Sequence, residues 1–350
     1  MSIPSTSDAF IIAKPQVEYL GVNFIDVYYR CALILLTHTT ISAEMPLRKG
    51  LYPFKEFPAV LGKETAGTII ALPTDPAVLN DEAYKRNNFQ VGGKVAAVRL
   101  LLAHITRTHF MQDSQSSHAS VISVPWKAAY PIPSNVSTRD GAASILQALT
   151  AYTFFEEAYK VKKGDTILVH TVAGGLGLLF AQLGRARGAT VIGTTSTEAK
   201  AELARQHGAD HVILYPKEDT VKRVLELTNG EGVDAVFDGV GKDTFDNNFK
   251  LIKRKGTIVS VGNASGPVEP FSPLRLVEKN VKLLRPTMSN YVYTPEEAYT
   301  YGQKVFELIG NGTLNINIFK EYPFTVEGYR QAQSDLVEGR SAGKLIIKVD

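Results

Sequence analysis

Five residues, Ala173-Gly174-Gly175-Leu176-Gly177, stand between a β-prone run, Thr166–His170, and a helical pattern over Leu178–Arg187 that Gly188 stops. Ala189–Thr194 then reads as a second strand. The chemistry of such a turn is anion binding. A pyrophosphate reaches backbone N–H groups only where no Cβ intervenes, and the helix that follows offers unpaired donors and a partial positive charge. A glycine pattern alone is a weak signal. Between a strand and a helix, with further strands following, it marks the first half of a dinucleotide-binding βαβ unit.

Other chemistries lack their residues. There is no GxSxG elbow, no P-loop lysine–serine pair and no HExxH. Cys31 is the only cysteine, which excludes an intramolecular disulfide and any multi-cysteine zinc site and fits a reducing compartment. His104, His109 and His118 have no shared helix-face spacing and read as loop histidines; Lys63–Glu64 has no neighbouring histidine. No metal site is expected, and no residue is firmly assigned as catalytic. A nicotinamide cofactor carries the chemistry, so the protein needs to position donor and acceptor and exclude water. The second strand ends Gly193-Thr194-Thr195-Ser196, without the acid that binds a ribose diol. These small residues, Ser196 included, leave room for a 2′-phosphate, and Lys200 lies one turn on to meet it. Glu198 falls in the first turn of the next helix. NADPH is therefore expected over NADH.

The elements that position these residues follow a strand–helix rhythm. Strands are predicted at His211–Tyr215, Val233–Asp238, Gly256–Gly262 and Val281–Arg285, with helices at Glu198–His207, Asp219–Thr228 and Lys242–Ile252. This alternation predicts a doubly wound parallel sheet. A helix over Ser137–Lys160, capped by Ser137 or Thr138, leads into it. Upstream, Ile11, Ile12 and Val17 share one β segment, Gly21–Arg30 reads as a core strand, residues 72–92 as a surface loop, and Val91–Val98 as a strand. Downstream, Pro295–Gly310 is an amphipathic helix, and strands at Phe319–Phe324 and Lys344–Val349 flank a helix near Val326–Glu338. The chain thus ends in the α+β texture in which it begins. That predicts a nucleotide domain inserted within a second domain, with the substrate in the cleft between them.

The whole composition excludes several classes. A chain of 350 residues with a net charge of +3 holds two domains and carries no bias toward nucleic acid or an anionic membrane. The start, MSIPSTSDAF, lacks the basic and apolar regions of a secretory signal, and the apolar run at 31–36 is too short to span a bilayer. A cytoplasmic protein is expected.

Several segments go beyond a generic nucleotide fold: GVNFIDVYYR (21–30), GLYPFKEFPAVLGKETAG (50–67), VPWKAAYPIP (124–133), LQALTAY (146–152), AGGLG (173–177), VFDGVGKDTF (236–245), VSVGNASGPV (259–268) and RPTMSNY (285–291). With them the chain resembles the zeta-crystallin-type NADPH:quinone oxidoreductases, zinc-free members of the medium-chain dehydrogenase/reductase superfamily, in a fungal-like form. The resemblance implies a Rossmann doubly wound parallel sheet inserted in a GroES-like β-rich substrate domain. The expected divisions are 1–130, 131–268 and 269–350. It implies a homodimer paired through the nucleotide domain, and AU-rich RNA binding by some relatives. By position, Gly174, Gly175 and Gly177, with Leu176 in the same turn, would hold the pyrophosphate. Lys200 and Tyr215 would hold the 2′-phosphate end. Thr150 and Asn263 would lie near the nicotinamide, and Arg340 would approach the phosphate. Asn23, Tyr28 and Tyr52 would border the quinone pocket.

Three segments, 1–20, 31–49 and 99–118, depart from the family pattern, and all lie in the substrate domain. Each is abrupt beside a matching neighbour, which reads as alternative or misplaced exon boundaries. The competing readings are an enone or alkenal reductase of the same superfamily, and a crystallin-like or RNA-associated nucleotide-binding protein with little catalysis.

Overall fold

The computed structural model describes residues 9–23, 63–98 and 122–349, the side chains of 9–17 excepted. Tyr28, Tyr52, Cys31, His104, His109, His118 and the segments 31–49 and 99–118 lie outside the described residues. The chain forms two compact units. The first comprises residues up to Leu149 with Tyr291–Asn311 and from Ile318 onward; the second comprises Thr150–Asn290 with Gly312–Asn317. The expected divisions at 130/131 and 268/269 therefore fall later along the chain. Residues 131–149 belong with the first unit because the opening turns of their helix bond into it. Leu146 N–H donates to Glu64 at 2.9 Å, and the Thr138 hydroxyl donates to Glu18. The second unit runs to 290 because its sheet takes a sixth strand beyond 268.

The first unit is built on a largely antiparallel seven-stranded sheet. Its strands are β1 (Ala9–Val22), β2 (Glu64–Ala71), β3 (Lys94–Val98), β4 (Ile122–Pro125), β5 (Ala129–Pro131), β12 (Ile318–Pro323) and β13 (Lys344–Lys348). They run in the order β12-β13-β1-β2-β3-β5, with β4 pairing β1. β1 is one long strand that absorbs the segment at Ile11–Val17 and the start of the one predicted from Gly21. Residues 72–92 are not wholly loop. They hold two short helices, α1 (Pro76–Leu79) and α2 (Glu82–Arg86), because Asp75 and Asp81 accept from the N–H groups of Ala77 and Ala83, each at 2.8 Å. Caps decide whether such short helices form. The core includes Leu20, Val22, Ile69, Val95, Val124, Trp126, Leu345 and Ile347.

Helix α3 (Thr138–Thr153) starts at Ser137, whose hydroxyl accepts from Asp140 N–H at 3.0 Å, and passes into a π-helical turn over Phe154–Ala158. The second unit then alternates as predicted: β6 (Thr166–Val169), α4 (Gly175–Ala186), β7 (Thr190–Thr195), α5 (Glu198–Gln206), β8 (His211–Leu214), α6 (Thr220–Leu227), β9 (Val233–Asp238), α7 (Phe245–Leu251), β10 (Ile252–Ser260) and β11 (Lys282–Leu284). The six strands are all parallel, in the order β11-β10-β9-β6-β7-β8. Read from β8, this is the doubly wound 3-2-1-4-5-6 order, with its switch point between β6 and β9. Helix α7 is shorter than predicted and β10 starts earlier, because Lys255 takes a positive φ of 67° and Ile252 already pairs with Val233. In the core of the second unit Phe155 stacks on Phe180 at 5.1 Å between centroids, and Phe237 packs tilted against both at 4.8 Å. Helices α8 (Met288–Tyr291), α9 (Pro295–Gly310) and α10 (Val326–Val337) complete the chain. Among the described residues no helix is long and apolar enough to cross a membrane.

Candidate cofactor-binding site

Parallel strands put their carboxyl ends at one edge, and the predicted residues Gly174–Gly177, Ser196, Tyr215 and Asn263 follow those ends directly in the chain, with Lys200 in the first turn of the helix after β7. β6 ends at Val169, and α4 begins at Gly175, three residues earlier than its apolar pattern predicts. Glycine makes the early start possible. A Cβ on Gly177 would lie 2.5 Å from the Thr171 carbonyl oxygen and 2.7 Å from the Val172 backbone, so the first turn of α4 sits directly on the loop before it. Helices α5, α6, α9 and α10 are closed by the side chains of Thr197, Asp219, Thr294 and Thr325. Helix α4 starts at Gly174 with no side-chain cap. No side chain at the cap position takes its first N–H groups, and Gly174, Gly175 and Leu176 are half-buried. That is the donor set a pyrophosphate takes.

The end of β7 carries hydroxyls and no carboxylate. Thr194 and Thr195 are buried and Ser196 is half-buried. Glu198 does not supply the missing acid, because it pairs with Arg205 at 2.9 Å. Lys200 is half-buried in the first turn of α5, and burial pulls its ammonium pKa below the ordinary lysine value. A cation in that state gains from a phosphate partner. Tyr215 follows β8, is 53% exposed, and its N–H bonds the Thr195 carbonyl at 3.2 Å, which sets it beside the β7 terminus. Asn263 is half-buried in the loop after β10. That loop is laced to the loop after β9: Ala264 N–H donates to Gly239 O at 3.1 Å and Ser265 N–H to Val240 O at 2.8 Å. Gly241, at φ 88°, has no room for a side chain, since a Cβ would meet Gly266 O at 2.8 Å. Thr150 is half-buried at the start of the second unit, where its carbonyl accepts from the Thr153 hydroxyl at 3.4 Å.

The other predicted residues belong to the first unit. Asn23 is buried, and its carboxamide is held on both sides. Nδ2 donates to Glu64 Oε1 at 2.7 Å, while Oδ1 accepts from Lys344 Nζ at 2.7 Å and from Gln147 at 3.4 Å. Lys344 also pairs with Glu64. Arg340 is spoken for by Asp335, at 2.7 Å, and by Glu338. Sequence reasoning missed Glu64 and Lys344, and it missed the buried side chains of His170, Asp238 and Asn248 in the second unit. His170 ends the predicted strand Thr166–His170 and Asp238 lies within the quoted run Val236–Phe245, so the signal available was a polar residue closing each apolar strand. Among the described residues no cluster of histidine, cysteine and carboxylate side chains is placed to hold a metal.

A family model described as zinc-binding dehydrogenase matches residues 175–307. The quinone oxidoreductase of Pseudomonas aeruginosa is 32% identical over 94% of this chain and 88% of its own length. That of Salmonella typhimurium is 31% identical over the same shares. The crystal structure of Escherichia coli quinone oxidoreductase complexed with NADPH superposes with a TM-score of 0.82 at 28% identity, covering 99% of this chain and 94% of that one. The Rossmann sheet, the laced loops at its carboxyl edge and these likenesses lead to one conclusion: the chain belongs to the quinone oxidoreductase family of the medium-chain dehydrogenase/reductase superfamily.

Proposed function

We propose that the protein is an NADPH-dependent quinone reductase that works without a metal. The observation that carries the reading is the carboxyl edge of the parallel sheet, where a side-chain-free helix start meets a β7 terminus with hydroxyls in place of an acid and the half-buried Lys200 nearby. The residues fit the cofactor: Gly174–Gly177 for its pyrophosphate, Ser196, Lys200 and Tyr215 for its 2′-phosphate end, and Asn263 with Thr150 toward its nicotinamide. When bound, NADPH supplies the reducing equivalents. The protein's own part is to orient the cofactor and exclude water. Asn23, with Tyr28 and Tyr52, is proposed for the quinone side, and Arg340 for the approach to phosphate.

The direct test is NADPH oxidation by the purified protein with an ortho-quinone, with NADH and an enone run beside it. Turnover that favours NADPH and the quinone supports the reading. Turnover confined to the enone would replace quinone reduction with the alternative activity, and NADPH binding without any turnover would favour the binding-protein alternative. A homodimer is also proposed, through the edge strand β11 and the turn that precedes it in the chain, where Leu274 and Val277 stand 77% and 64% exposed. Sedimentation at micromolar concentration checks it; a monomer would refute it. The lone cysteine supports a cytoplasmic setting.

A further inference from the structure

Four buried polar side chains form a connected series in the second unit, and of these only Thr194, at the end of β7, belongs to the site as described so far. His170, Thr194, Asp238 and Asn248 are each at most 5% exposed and are joined end to end. His170 Nδ1 lies 3.1 Å from the Thr194 hydroxyl, and its Nε2 lies 3.0 Å from Asn248 Oδ1. Asn248 Nδ2 donates to Asp238 Oδ2 at 2.7 Å. Asp238 Oδ1 accepts from the N–H groups of Val240 at 2.8 Å and Gly241 at 3.2 Å, and the carboxylate also accepts from the Thr244 hydroxyl. At the other end, Thr194 Oγ1 accepts from Thr171 N–H at 3.4 Å.

The chain of bonds has one direction. A carboxylate accepts only, so Asn248 must present its NH₂ to Asp238 and its oxygen to His170. His170 therefore donates through Nε2, and in the neutral imidazole Nδ1 accepts from Thr194. The series runs from the backbone of the glycine turn to the carboxylate that folds the loop after β9. These are the two loops that flank the switch point between β6 and β9, where an open α/β sheet receives its ligand. One of them is strained. Thr171 is β-branched yet has φ 55°, a left-handed conformation, and its hydroxyl donates to His170 O at 2.6 Å. A strained loop keeps its shape only where its surroundings over-determine it.

We propose that His170 and Asn248 are positioning residues, which hold the 171–177 turn and the 239–241 loop in mutual register and so set the affinity for the nicotinamide half of the cofactor. The proposal rests on the cofactor reading above. The adenosine end, at Ser196, Lys200 and Tyr215, is left largely independent of the series beyond Thr194.

The test measures binding of NADPH and of 2′,5′-ADP, together with the fluorescence of bound NADPH, for the unaltered protein, His170→Phe, Asn248→Leu, Thr194→Val and His170→Gln. Glutamine can donate to Asn248 and accept from Thr194, as the imidazole does. In His170→Phe and Asn248→Leu the Kd for NADPH is expected to rise about tenfold, with altered emission, while that for 2′,5′-ADP stays within about twofold. Thr194→Val also alters the β7 end assigned to the 2′-phosphate side, so it is read by NADPH emission alone and should change it as the other two do; His170→Gln should restore most of the loss. Unchanged NADPH affinity in these variants, or equal loss of both ligands without rescue by His170→Gln, would overturn the proposal. Should the two apolar variants fail to fold, Thr194→Val, which keeps the volume, decides the matter through the emission of bound NADPH, which reports the nicotinamide half alone. If the unaltered protein does not bind NADPH, the cofactor reading falls and this proposal with it; if it binds and the variants match it, only this proposal falls.

Discussion

Thr171 shows how much one residue can decide. A β-branched residue at φ 55° costs about 1–2 kcal/mol against a glycine, and its 2.6 Å bond to the His170 carbonyl offsets part of that cost. Thr171→Gly relieves that strain but loses the bond and adds the entropy of an unfolded glycine, so it is expected to leave stability within about 1 kcal/mol of the unaltered protein. Thr171→Val keeps the strain, loses the bond, and should lower it; urea unfolding separates the two. Asp335 makes a second case. Burial alone would raise its carboxyl pKa, but the Tyr322 hydroxyl at 2.6 Å, Arg340 and Gln331 all donate to it, and it ends below its ordinary value of 3.8. A depressed carboxylate stabilises the fold above its unfolded pKa and loses that contribution as pH falls through the folded value. Asp335→Asn should accordingly lower the melting temperature at pH 7, with the gap narrowing below about pH 4. A gap independent of pH would show that the carboxylate's charge is not what matters.

Elements meet at polar points as well as apolar ones. Lys344 on β13 and Glu64 on β2 are 2% and 0% exposed in side chain, and they tie those strands to Asn23 after β1 and to the Leu146 N–H of α3. Gly21 faces the Glu64 carboxylate, and a Cβ there would strike it. Removing one charge leaves the other buried and unpaired, which costs about 3–5 kcal/mol, whereas replacing both by apolar groups of similar size is often close to neutral. Lys344→Met is expected to be strongly destabilising, and the Glu64→Leu/Lys344→Met pair to recover most of the loss. A double variant no better than the single would mean that the pair contributes more than mutual neutralisation. In the second unit, Gly177→Ala should prevent α4 from starting at Gly175, since the new Cβ has backbone rather than movable side-chain atoms in its way.

For the molecule as a whole, ligand linkage gives the broadest check. A ligand that binds only the folded protein adds about 2.7 kcal/mol at 100 times its Kd. NADPH should raise the melting temperature more than NADH at equal concentration, and Lys200→Ala should shrink the difference. Equal shifts by the two cofactors would remove the 2′-phosphate reading. The parallel sheet was largely legible from the chain: each of its strands overlaps a predicted one, and Val233–Asp238 matches end to end, as does the helix Pro295–Gly310 of the first unit. Residues 72–92 were less so, because Asp75 and Asp81 read equally well as loop acids and as caps.

What the amino-acid order determined by itself was local. Apolar period, glycine at the turn and the absence of an acid after β7 act within a few residues, so strand and helix follow from spacing, and the proposals of a dinucleotide turn and a 2′-phosphate rest on it too. What only the tertiary structure decided was pairing at a distance. Lys344 meets Glu64 across 280 positions, and His170 meets Asn248 across 78. A lone lysine, glutamate, histidine or asparagine carries no mark of its partner. Folding brings such groups out of water together, and in a low-dielectric interior each polar atom must then find one.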